Sequence, residues 1–201
     1  MFLKKIVPSL VLLLISTAAS KAQDISAYNV VWNSQSKNSS ESMPLGGGDI
    51  GCNVWVENND IIFYIGRSGT FDENNSMLKL GRVRLNLTPN PFKNTFKQEL
   101  KLKDGSIEIT GDHHTRIKLW VEVFKPVIHV EVSGDEKLIT KATFEDWRTE
   151  DRALSPDERH QAYSFNLTEQ DKLPIYTRKD TVKPHTADLI WYHQDRNDEM
   201  T

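Results

Sequence analysis

Cysteine is almost missing from this chain. Only Cys52 is present, so no internal disulfide can form. Basic charge is not in excess either. The formal net charge is −3, which leaves no electropositive footprint for nucleic acid. No Gly-Lys-Ser/Thr follows the glycines, no zinc-ligand spacing occurs, and no Gly-x-Ser-x-Gly elbow is present. These gaps argue against a phosphate-binding loop, a zinc site and a hydrolase of the elbow type. No cofactor, metal or nucleic-acid partner is expected. Internal repeats, low-complexity tracts and coiled-coil heptads are missing too, as is a second long apolar run.

The one long apolar run lies at the start. Lys4 and Lys5 precede an almost wholly apolar stretch, Ile6 to Ala19, and Ser20-Lys21-Ala22 places small residues three and one positions before Gln23. That order is the pattern of a secretory signal peptide, residues 1–22, cleaved after Ala22. The run is too short for a membrane span, which needs about 20 apolar residues. The mature chain, residues 23–201, is then exported to a periplasm or the outside, with no membrane attachment. Cleavage removes Lys4, Lys5 and Lys21 and no acid, which takes the formal charge from −3 to −6. With 201 residues, stability can come from core packing, and Cys52 reads as a small buried hydrophobe on a strand.

The remaining sequence alternates with period two. Ile50, Cys52, Val54 and Val56 share one face, as do Ile61, Phe63 and Ile65, and Val83, Leu85 and Leu87. The same pattern runs through Phe96–Leu102, Ser106–Thr110, Ile117–Val123, Val127–Ser133 and Leu138–Phe144. Asn58-Asn59 and Asp104-Gly105 are hairpin turns, and Asp112, His113 and His114 form a polar turn between strands. At least eight strands at this spacing predict an all-β fold, an antiparallel sandwich or barrel. From Arg148 to Gln161 the chain reads as a charged excursion, with a short helix capped by Ser155 and opened by Pro156. Late strands are expected at Tyr163–Leu167 and Asp188–His193.

Gly46, Gly48 and Gly51 match G-x-G-x-x-G, but a loop precedes them and a strand follows. A dinucleotide site needs the reverse, a strand leading into a helix. The cluster reads instead as a glycine-rich strand entrance. His129 and His193 look isolated and structural, and His160 and His185 fall in polar loops. Among the acidic pairs, Asp72/Glu73 shares a polar segment with Arg67, Ser68 and Asn74. Of five tryptophans, Trp55 and Trp120 fall on the polar faces of their strands, while Trp32 and Trp147 lie near strand ends where a ligand can reach them. Trp191 is the fifth.

Trp32-Asn33, Ser42-Met-Pro-Leu-Gly-Gly-Gly-Asp-Ile-Gly51 and Val54-Trp-Val-Glu57 follow one another in order. With Phe71-Asp-Glu-Asn74 and Leu78-Lys-Leu-Gly-Arg-Val-Arg84, they resemble the N-terminal domain of six-hairpin glycosidase-like proteins. The nearest likeness is to a secreted bacterial family known as domain of unknown function 5703. A more distant one is to glycoside hydrolase family 95, whose entrance motif carries Asn where this chain has Gly47. The resemblance implies a β-supersandwich followed by an (α/α)6 barrel that holds the catalytic carboxylates. The chain would then be the N-terminal part of a longer protein, with no catalytic residues of its own. It would support the barrel and line the rim of a carbohydrate site through loops Gly46–Asp49 and Arg67–Asn74. Trp32, Gly47, Asp49, Arg67 and Asp72 are the expected substrate-binding residues. A non-catalytic carbohydrate-binding module and a purely structural fragment are the alternatives.

Overall fold

The computed structural model describes residues 23–159, 175–186 and 188–195. The signal-peptide expectation, His160 and the strand expected at Tyr163–Leu167 lie outside them. In chain order the strands are β1 (Val30–Trp32), β2 (Met43–Gly47), β3 (Ile50–Glu57), β4 (Asp60–Phe71), β5 (Met77–Thr88), β6 (Lys97–Lys101) and β7 (Ser106–Thr110). They continue as β8 (Arg116–Val121), β9 (Ile128–Ser133), β10 (Ile139–Glu145), β11 (Arg152–Ala153), β12 (Tyr176–Thr177), β13 (Thr181–His185) and β14 (Asp188–Tyr192). One helical turn, Pro156–Arg159, and two 3-10 turns, Ile25–Tyr28 and Ser39–Glu41, complete the described elements.

Two five-stranded antiparallel sheets face each other. One has the order β1-β6-β7-β8-β9 and the other β10-β5-β4-β3-β2. The alternation in the sequence sets which side chains meet between them. Cys52, Val54, Val56, Ile61, Phe63, Leu85 and Leu87 come from the second sheet. Ile107, Ile109, Ile117, Leu119 and Val121 come from the first, and all belong to one buried cluster. Each large aliphatic buried here contributes about 1.5–3 kcal/mol. The turns fall where the sequence places them. Asn58 and Asn59 take φ of 52° and 69° between β3 and β4, the left-handed pair that a tight hairpin requires. Gly105 has φ of 57°, and His113 and His114 have 53° and 52° in the β7–β8 turn.

Two expectations are corrected, for the loop segments and for His185. The segments Gly46–Asp49 and Arg67–Asn74 are not mainly loops. Gly46 and Gly47 are in β2, opposite Gly51 and Ile50, and residues 67–71 are the end of β4. Their glycines and polar residues hide the alternation, while the ladder to neighbouring strands keeps them extended. Trp55, on the polar side of β3, packs against another layer: it is 1% exposed, as is Ile62 opposite it. Its ring lies 5.0 Å from Tyr64, whose other neighbour is Trp147 at 5.9 Å, edge-on. The second sheet is therefore covered on both faces at this point. His185 closes β13 rather than lying in a loop.

A smaller layer flanks the sandwich. β11 pairs with β12, and β13 with β14. Trp191 of β14 fixes this layer to the second sheet: its ring packs 4.2 Å from Phe144, and its Nε1 donates to the Leu80 carbonyl at 2.9 Å. Gly81 makes room for Phe144. A Cβ there would stand 2.3 Å from the phenyl ring, and φ is +143°.

Candidate functional site

The flank is assembled around one buried ionic chain. Arg148 follows β10 and turns its guanidinium onto Asp180, with Nε to Oδ1 at 2.9 Å and Nη2 to Oδ2 at 2.5 Å. Its Nη1 donates to the Lys79 carbonyl at 2.8 Å. The backbone reciprocates, since the Asp180 N–H donates to the Arg148 carbonyl at 2.8 Å. His193, just past β14, bridges Asp180 and Glu73: Nδ1 lies 2.7 Å from Asp180 Oδ1, and Nε2 lies 3.0 Å from Glu73 Oε2. Glu73 Oε1 accepts the Arg178 N–H at 3.0 Å. All four side chains are less than a tenth exposed. Burial disfavours the charged imidazole, but hydrogen bonds to Glu73 and Asp180 outweigh it and raise the His193 pKa above its ordinary value. His193 is thus not the isolated structural histidine that its neighbours in sequence suggest.

Beside this chain lies a cavity of about 310 Å³ between the β4–β5 turn, the segment after β10 and β12. Trp147 stands at it, 42% exposed. Lys79, Arg148, Arg152, Glu158 and Asp72 supply its polar lining. Asp72 holds the β4–β5 turn, its Oδ1 accepting the N–H groups of Asn74 and Ser76 at 2.9 and 2.8 Å. Ser155 and Glu158 form a capping box on the helical turn. The Ser155 hydroxyl accepts the Glu158 N–H at 3.3 Å and Glu158 accepts the Ser155 N–H at 2.9 Å. Arg152 grips the same carboxylate at 2.6 Å. That hydrogen bond first, and the Ser155 N–H next, hold the Glu158 pKa down at about 2. Glu158 is therefore ionised at neutral pH and cannot serve as a proton donor there. A half-exposed indole beside fixed donors and acceptors suits recognition of a polar, ring-shaped ligand more than bond breaking.

The five residues expected to bind substrate do not share one site. Asp49 and Arg67 form an ion pair, Oδ2 to Nε at 2.7 Å, 42% and 48% exposed. Gly47 sits where a Cβ would come within 2.7 Å of the Val121 carbonyl, so its small size serves the contact between the two sheets. Trp32 lines a separate hollow of about 410 Å³ with Gln35, Ser36 and Glu41. Only Asp72 lies at the Trp147 cavity. Trp120, like Trp55, is used in packing and stacks on His129 at 4.7 Å. The cluster of Arg148, Asp180, His193 and Glu73 escapes sequence reading because Glu73 and His193 are 120 positions apart. Buried Cys52 has its thiol pushed up to about 12 by desolvation and is no nucleophile.

The model of one protein family matches residues 31–201; that family is described as a domain of unknown function, DUF5703. The chain belongs to this family. No curated protein matches the chain. Among the described residues, no helix is long and apolar enough to cross a membrane.

Proposed function

We propose that this DUF5703 domain is the sugar-facing β-sandwich of an exported glycosidase-like protein. Its two sheets form the scaffold, the flank borders a carbohydrate site, and an (α/α)6 barrel in the longer protein performs catalysis. The observation that carries this reading is Trp147, a half-exposed ring over a cavity lined by arginine, lysine and carboxylate groups. Indole faces cover the apolar C–H faces of sugars while the polar lining takes the hydroxyls. In the sequence of residues 1–22, basic residues, an apolar run and small residues follow one another as in a signal peptide, which supports export. Another hollow, of about 820 Å³, lies between β10 and the β13–β14 hairpin and is lined by Phe144, Val182, Leu189 and Trp191. It offers an apolar face for the helical domain.

Titration calorimetry of the purified chain against neutral oligosaccharides tests the sugar reading. Saturable binding at millimolar affinity or tighter is expected, and Trp147→Ala should abolish it without changing the circular dichroism spectrum. No binding to any sugar tested, or equal binding by the variant, would remove the Trp147 cavity from the account. Binding by this chain alone would also favour the second reading, a carbohydrate-binding module that works without a catalytic barrel.

A further inference from the structure

His193 has carboxylates at both ring nitrogens. Its Nδ1 is engaged by Asp180, and Asp180 is fixed by the two-pronged contact of Arg148. The other ring nitrogen, Nε2, faces two carboxylates: Glu73 Oε2 at 3.0 Å and Asp195 Oδ1 at 3.7 Å. The ligand atoms of Glu73, His193 and Asp195 all lie within 4.8 Å of one another. A zinc ion with bonds of about 2.0–2.2 Å in a tetrahedral shell separates its ligand atoms by about 3.3–3.6 Å. The two measured separations bracket that value. A carboxylate on the far nitrogen of a metal-bound histidine is the usual second support of such sites, and Asp180 occupies that place.

We propose that Glu73, His193 and Asp195 form a binding site for one divalent transition-metal cation of the zinc type, with Asp180 and Arg148 orienting the imidazole. The charges favour it. With a neutral imidazole as ligand, Glu73, Asp180 and Asp195 carry three negative charges against the one of Arg148, and a divalent cation at Nε2 balances the remaining two in place of an imidazolium proton. An imidazole ligand selects zinc-like ions over calcium and magnesium, which take oxygen ligands. Asp195 is 58% exposed, so ions can enter from solvent and a water can complete the shell. The ion would tie the end of β14 to the β4–β5 turn, and so close the flank over the Trp147 cavity. The proposal does not depend on what that cavity binds.

The test is titration of the full, chelator-treated chain with Zn²⁺, read by calorimetry and by native mass spectrometry. One ion per chain at micromolar affinity or tighter, with a rise in Tm, is expected. Asp195→Asn leaves the buried chain intact and should weaken binding by more than the about 10–100-fold that outer-shell changes cost. His193→Gln should abolish it, and His114→Gln, at the exposed turn, should leave it unchanged. Calcium should not compete. Failure to bind one ion at micromolar zinc, or unchanged binding by Asp195→Asn, would overturn the proposal.

Discussion

The sandwich and the flank are built on different physics. Between the two sheets, Val54, Val56, Ile61, Ile107, Ile109, Ile117 and Leu119 are fully buried in one apolar cluster. The flank has short strands of two to five residues, and most of their side chains are exposed. It is fastened by Trp191 and by the line Arg148–Asp180–His193–Glu73. Apolar burial is spread over many contacts and degrades gradually. A buried ionic chain adds little net stability but fails sharply when one member is removed, because its partner's charge is left stranded. The flank should therefore open as a unit while the sandwich persists, a property suited to a layer that carries a binding site.

The largest effect that separates the two regions is expected from Asp180→Asn. Leaving the buried Arg148 guanidinium without its carboxylate costs about 3–5 kcal/mol. The loss should appear as release of the flank, seen as new protease cleavage between residues 146 and 195. Leu119→Ala should cost a similar or slightly smaller amount, about 2–5 kcal/mol. It should act on the whole domain, as a shifted urea midpoint with a single transition. Gly47→Ala meets the Val121 carbonyl and should cost about 1–3 kcal/mol by forcing the sheets apart locally, with the same urea measurement as readout. If the glycine serves a ligand instead, stability will not change.

The smallest effect is acid sensitivity at the helical turn. The Glu158 pKa is depressed from 4.5 to about 2, so its contribution is fully present above pH 4.5 and is lost as pH falls towards about 2. The pair is 42% exposed on both sides, so solvent screening keeps the contribution to about 1 kcal/mol or less. Glu158→Gln should remove that part of the acid dependence and leave the sandwich transition unmoved. Melting curves between pH 5 and pH 2 check this, with the window taken from the same two pKa values.

The same contrast explains what the sequence discloses. Eight strands of the two sheets, β3 to β10, follow from alternation and turn residues because each inward side chain is set by its own strand. Where glycine interrupts that alternation, at Gly46–Gly47 and Gly66–Gly69, strand reads as loop, and only the ladder to neighbouring strands reveals it. Trp55 on the polar side of β3 does not disclose that Tyr64 and Trp147 are what cover that face. In the flank, Pro184 obscures β13. The ionic chain joins residues on four separate segments, and only Glu73, through its pair with Asp72, stands out locally. Of the expected site residues, only Asp72 lies at the turn that lines the Trp147 cavity, Trp147 stands out as a strand-end aromatic, and Arg148, Asp180 and His193 carry no sequence signal.

Hydrogen exchange followed by mass spectrometry on the native chain and Asp180→Asn tests the two-region account most directly. The account predicts fast exchange in the variant for peptides covering residues 146–159 and 175–195. Peptides over β3, β4, β7 and β8 should keep their native protection. Protection lost evenly across both regions, or lost in neither, would contradict it.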